Sequence, residues 1–249
     1  MNMNSFIKTL TAAALATVSG IAAAADAGDI SANVSMATDY IWRGVSQTNQ
    51  KPTIQGGFDY SHDINDSLSW YLGTWGSNVD PRFFGGVHSP TMELDTYTGL
   101  SGKAGDFTYT GGWLRYNYPG GKCSGGACDG SSVSTTEWKI GGGWKWFGVN
   151  YYVSKDWFGT SDDSERVEGT FDYDLPYDIS FTSSVGNNYG TGTEDFFTDS
   201  YVDWKLGLSK KWLGVDWGVA YTDTDISKKH CGDTDLCDAH YVASLSKSF

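Results

Sequence analysis

The sequence predicts an all-β chain, an antiparallel up-and-down barrel of about twelve strands that spans a membrane after a cleaved export signal. Three observations carry this. From Ile30 onward apolar and polar residues alternate with period two, the signature of strands whose two faces meet different surroundings. Short and long connections alternate along the chain, as in membrane barrels with tight turns on one side and long loops on the other. Trp and Tyr gather near the ends of the apolar rows, where aromatic girdles sit.

The elements follow in order. Lys8 gives a short positive region, Leu10 to Ala22 an apolar core, and Ala23-Ala24-Ala25 a small-residue cleavage site. The expected organisation is therefore a secretory signal at 1–25 and one barrel domain at 26–249. In the first strand Ile30, Ala32, Val34, Met36, Tyr40 and Trp42 share one face, against Ser31, Asn33, Ser35, Asp39 and Arg43. In the second, Ile54, Phe58 and Tyr60 oppose Gln55, Asp59 and Ser61. Around 92–101, Met92, Leu94 and Leu100 oppose Glu93, Asp95 and Tyr97; in 134–145, Trp138, Ile140 and Trp144 oppose Glu137, Lys139 and Lys145. Val167, Phe171 and Tyr173 then oppose Arg166, Glu168 and Asp172. Later come Ile179, Phe181 and Val185 against Ser180, Thr182 and Ser184, and Val202, Trp204, Leu206 and Leu208 against Tyr201, Asp203 and Lys205. Val215, Trp217, Val219 and Tyr221 oppose Asp216, Gly218 and Thr222. Segments 68–77, 107–118 and 148–156 are aromatic on both faces, and 238–249 closes the chain. Twelve strands in the 224 exported residues give about 19 residues per strand with its connection, where a tilted spanning strand takes roughly 9–11.

Turns are expected near 62–67, 101–106, 145–148, 174–178 and 209–214. Long polar loops are expected near 78–91, 119–132, 157–164, 187–198 and 223–237; the first connection on that side, 47–52, is brief. An exported carbohydrate-binding sandwich would also be rich in aromatics, but it has no reason to sort its loops by parity. The last strand ends in Phe249, with Tyr241 and Leu245 on alternate positions, similar to the C-terminal assembly signal of bacterial outer-membrane barrels.

Composition excludes other classes. The net charge is −13 with four arginines, a poor match to a phosphate backbone, so no nucleic-acid partner is expected. Glycine makes up 32 of 249 residues, nearly double the ~7% norm. Cys123 and Cys128 enclose four residues and Cys231 and Cys237 five, all in loop-like sequence. Export favours disulfides, and proximity favours these two pairs, although four cysteines allow three connectivities. Such rings are expected to pin loop tips. Neither pair has the tighter spacing of a zinc site, and no metal or other cofactor is expected. The acidic runs at 161–165, 193–199 and 222–225 match no complete calcium loop. His62, His88, His230 and His240 stand in no triad arrangement, and no G-x-S-x-G occurs. Catalysis is not expected.

Two stretches, MATDYIWRGVSQTNQKPTIQGGFDYSH (36–62) and YLGTWGSNVD (71–80), carry D-Y-x-x-R-G-x-S-Q, K-P-x-x-Q-G-G and G-T-W-x-S-N patterns, and the chain ends in S-K-S-F. Together they resemble a proteobacterial family of outer-membrane porins, the TorF-like or Gcw_chp family. The resemblance implies an outer-membrane barrel of porin type and names no solute.

The strand phases place Asp39, Asp59, Glu93, Asp95, Glu137, Glu168, Asp172, Asp203 and Asp216 inward, against Arg43, Arg115, Lys139, Arg166 and Lys205. Acidic rings in a pore favour cations. The expected function is passive diffusion of small hydrophilic solutes across the bacterial outer membrane with a mild cation preference. The alternative is a closed barrel that acts as a structural or surface-binding protein through its loops. Expected partners are outer-membrane lipid and lipopolysaccharide, the barrel-assembly machinery and the solutes themselves.

Overall fold

Turn chemistry decides where the chain reverses. At Leu213-Gly214 both residues have positive φ, 53° and 74°, the geometry of a two-residue turn whose twist matches that of the flanking strands. Similarly tight turns fall at 66–67, 105–106 and 145–146, and a three-residue one at 176–178. The computed structural model describes residues 28–81, 90–122 and 132–249. The expected signal at 1–25, His88, Cys123 and Cys128 lie outside them.

The elements are β1 (Asp29–Ala37), β2 (Ile41–Trp42), β3 (Val45–Ser46), β4 (Thr53–Asn65), β5 (Leu68–Asn78), β6 (Met92–Ala104) and β7 (Phe107–Asn117). They continue with β8 (Thr135–Trp144), β9 (Phe147–Ser154), β10 (Ser164–Leu175), β11 (Ile179–Tyr189), a short helix α1 (Thr191–Phe197), β12 (Tyr201–Trp212), β13 (Val215–Thr224) and β14 (His240–Ser248). β1 and β4 to β14 form one closed antiparallel barrel in which chain neighbours are sheet neighbours. β14 returns to pair with β1, Met36 opposite Leu245 and Asn33 opposite Ser248. Closure leaves no unpaired sheet edge, which a sheet in hydrocarbon requires.

Period-two alternation sets the two faces of the wall. Ile30 and Phe58 are each 65% exposed and Ile140 63%, on the outside of the cylinder. Ser31, Thr53, Glu93, Glu137 and Asp203 are buried on the inside. A water-soluble barrel inverts this order, so the outer face is built for lipid. Trp144, Phe147, Tyr173, Trp212 and Trp217 lie exposed near the short-turn end. Phe107 and Tyr109, whose facing the sequence leaves uncertain, are outward too, 61% and 41% exposed.

The first strand departs from expectation. β1 stops at Ala37, and residues 38–52 leave the wall, forming the separate hairpin β2–β3. Tyr40 and Trp42, expected on the lipid face, are instead 3% and 7% exposed inside the barrel. The interior offers the ring contacts and hydrogen-bond partners that these side chains take up.

Candidate functional site: the barrel lumen

Hairpin 38–52 enters from the long-loop end and crosses the lumen. Its own frame comes first. The Asp39 carboxylate accepts from Ser46 Oγ at 2.8 Å and Thr48 Oγ1 at 2.7 Å, while Gln47 N donates to Tyr40 O. At the turn Arg43 has φ 49° and Gly44 φ 80°. A Cβ on Gly44 would lie 2.3 Å from Thr224 Cγ2 and 3.0 Å from Asp203 Cβ. The turn therefore fits against β12 and β13 only without a side chain.

The hairpin then binds the wall. Tyr40 donates its hydroxyl to Glu93 at 3.1 Å and meets Trp75 edge-on. Burial first, and the Glu93 charge second, hold that hydroxyl well above its ordinary pKa, so it stays a donor. Arg43 Nη2 reaches Glu137 Oε1 at 2.5 Å, and its guanidinium lies 4.4 Å from the Trp42 ring centre. Burial is the largest influence and opposes the charge on Arg43, but the charge and hydrogen bond of Glu137 together with Tyr116 raise the guanidinium pKa. Trp42 stacks on Trp157 and meets Tyr116 and Phe158 edge-on. The long-loop half of the lumen thus holds an aromatic core of Tyr40, Trp42, Trp75, Tyr97, Tyr116, Tyr118, Trp157 and Phe158.

On the wall from β8 to β12, acids and bases interlock. Arg166 binds Asp203 through both terminal nitrogens and Glu168 at 3.0 Å, with Asn188 also on its Nη1. Glu168 takes Asn150 and Tyr152 as further donors, both at 3.1 Å. Lys139 lies over the Tyr152 ring, and Lys205 stands in the field of Glu168 and Asp172. From β4 to β6 the wall is acidic. Asp59 accepts from Tyr97, and Glu93 and Asp95 share one face of β6. Glu93 Oε2, Asp95 Oδ1 and Asp59 Oδ2 have no hydrogen-bond donor, and no described Lys or Arg forms an ion pair with these acids. Near mid-strand, Lys205 shares the inward face of β12 with Asp203 and Gly207 yet is solvent-exposed, so the lumen holds open space there. Asp216 lies at the short-turn rim, 3.9 Å from Lys211.

Most of the expected inward residues face the lumen from wall strands, but three placements change. Asp39 and Arg43 do so from the hairpin rather than from a wall strand. Arg115 does not face it. It is exposed on the outer side of β7, bonded to Asn117 and Thr136. The aromatic residues on both faces of β7 hide its phase in the sequence, and buried Tyr116 fixes it. Sequence reasoning also missed Trp42, Tyr116, Trp157 and Phe158 as luminal residues. One signal was present: the brief first loop broke the parity of connections, and 38–52 restores it.

The inward tyrosines need glycine beside them. A Cβ at Gly73 would lie 2.3 Å from the Tyr97 ring, so Gly73→Val should displace Tyr97 from Asp59. Overpacking of this kind costs about 1–3 kcal/mol, readable as a lower urea midpoint of the refolded barrel.

The Cys231–Cys237 disulfide closes a ring in loop 225–239. Among the described residues no group of three or more His, Cys, Asp or Glu is arranged to hold a metal. No helix among the described residues is long and apolar enough to cross a membrane, which says nothing of a barrel.

No curated protein matches the sequence. Among solved structures, the NanC porin is similar at 12% identity and TM-score 0.56, with 88% of this chain and 98% of that chain covered. A structure from work on in-meso crystallization of membrane proteins is similar at 7% identity and TM-score 0.55, with 89% and 83% covered. The KdgM porin, solved with a disordered oligogalacturonate, is similar at 12% identity and TM-score 0.46, with 88% and 98% covered. At these identities the first two likenesses speak to fold alone, that of a membrane β-barrel. Residues 21–249 match the family model itself, and the chain belongs to the Gcw_chp family, bacterial proteins of unknown function.

Proposed function

We propose that the protein is a porin-like channel of the bacterial outer membrane for small hydrophilic solutes, reached after export and removal of residues 1–25. The observation that carries the reading is the cylinder itself: apolar outside, charged within, and open to water around Lys205 near mid-strand. With the hairpin displaced, the acidic wall of Asp59, Glu93 and Asp95 would line the path and supports a mild cation preference, since carboxylates along a pore draw cations. The other inward residues, Glu137, Lys139, Arg166, Glu168, Asp172, Asp203, Lys205 and Asp216, complete the charged surface. No step in this transport needs a cofactor or covalent chemistry. Outward Tyr241, Leu245 and Phe249 are read as the assembly signal, and lipopolysaccharide as the lipid neighbour of the long-loop rim.

A second reading has its own observation. Hairpin 38–52 and its aromatic core fill the long-loop half of the lumen, which suits a closed barrel that binds or supports through its loops. Ala37 and Thr53 are direct sheet partners, so an Asn-Gly turn can replace 38–52 without stretching the wall. In planar bilayers this shortened barrel is expected to conduct, with a reversal potential on the cation side. Asp59→Lys with Asp95→Lys should remove that preference. A folded shortened barrel that passes no current overturns the channel and leaves the second reading; anion preference overturns the selectivity.

A further inference from the structure

We propose that the disulfide ring Cys231–Cys237 is a clamp that holds hairpin 38–52 inside the lumen, and that freeing the hairpin from it opens the channel. The inference rests on the channel reading above and names what controls it.

The ring touches the hairpin through its backbone. Ser46 N donates to Leu236 O at 2.8 Å, and Gln50 Nε2 donates to Asp235 O at 3.2 Å. Both acceptors lie within the ring, which spans seven residues with a sequence separation of six. The ring is in turn fixed to the wall. Thr224 Oγ1 donates to Cys237 O at 2.8 Å, and His240 Nε2 lies 3.0 Å from Leu236 O. Ser46 is fully buried and Cys237 1% exposed, so the Ser46–Leu236 bond is closed to water, while the Gln50–Asp235 bond lies at the exposed edge. Gly44, pressed against Thr224 and Asp203, brings the hairpin turn to the same side of the barrel.

The crosslink matters because the ring has no core of its own. Residues 232–235 are exposed, and of the seven only Cys237 is buried. Once the bond were gone, the His240 contact to Leu236 O and the Thr224 bond to Cys237 O would be left to position that carbonyl. A closed ring removes backbone freedom beforehand. A loop with a free backbone would have to be ordered each time it took Ser46 N.

The test reads the hairpin and the pore separately. Arg43–Gly44 is the one tryptic bond within 38–52, because Lys51 precedes Pro52. Arg43 is 8% exposed, so the folded barrel should resist cleavage there. Cys231→Ser with Cys237→Ser, leaving Cys123 and Cys128 intact, should give a new N-terminus at Gly44 at least tenfold faster. Its mean conductance should rise toward that of the barrel shortened at 38–52. Where the double variant fails to refold, a Cys123→Ser/Cys128→Ser barrel is folded first and then treated with a phosphine reductant. The disulfide takes two electrons and two protons to become two thiols, while the phosphine and a water become the phosphine oxide. The same two readouts should rise. A folded, disulfide-free barrel with unchanged cleavage and unchanged conductance overturns the clamp. Faster cleavage with unchanged conductance overturns its link to the pore. A shortened barrel that passes no current overturns the channel reading, while tryptic cleavage still judges the clamp.

Discussion

Arg166→Ala should destabilise the barrel more than any other single truncation in the β8–β12 wall. Its side chain is 4% exposed and joins Asp203 and Glu168, whose side chains are 5% and 2% exposed. Removing one partner of a buried ion pair costs about 3–5 kcal/mol, because the other charge stays behind without compensation. Here two carboxylates stay behind. Lys205 stands near Glu168 but makes no ion pair with it, and Asn188 offers Asp203 only a neutral donor. Gly186 is part of the same arrangement: a Cβ there would lie 2.2 Å from the guanidinium carbon. Arg166→Lys should recover little, since one ammonium cannot span Asp203 in two places. Arg166→Met with Glu168→Gln and Asp203→Asn should recover most of the loss by removing the stranded charges. Urea unfolding in detergent or vesicles measures all three. An Arg166→Ala midpoint equal to that of the unaltered chain would refute the account.

Arg43→Ala should act on the hairpin rather than on the wall. Glu137 would keep only the Tyr116 hydroxyl, at 3.1 Å, and Trp42, Tyr152 and Trp157 would lose the cation packed among them. The two side chains are 4% and 2% exposed, so about 3–5 kcal/mol is again at stake. The barrel strands keep their own ladders, and the loss falls on the balance between hairpin held and hairpin released. At about 1.4 kcal/mol per tenfold, release should rise a hundredfold or more. Amide exchange over 40–50 should quicken accordingly, with the strand amides unchanged. Glu137→Gln should give a smaller rise, because a neutral acceptor still meets Arg43. Unaltered exchange in 40–50 would show that the Arg43–Glu137 contact does not hold the segment.

The long strands were legible because alternation is local. Ile54 and Phe58, or Val167 and Phe171, show their face by spacing alone, and each lies on the outer surface. Where both faces carry aromatics the spacing is silent, and there Arg115 fell on the wrong side. Residues 36–42 failed for a different reason. Tyr40 and Trp42 continue the phase of Met36, so their pattern suits a lipid-facing strand equally well.

The chain by itself determined a closed cylinder: twelve two-faced strands, an apolar exterior, a charged interior and the end on which the long loops lie. Each of these follows from near neighbours, through side-chain period and turn residues. Only the tertiary structure decided what occupies the interior. Tyr40 meets Glu93 across 53 residues of sequence, Arg43 meets Glu137 across 94 and Gln50 meets Asp235 across 185. Contacts so distant leave no periodic trace, and their energy exists only once the cylinder has closed around them.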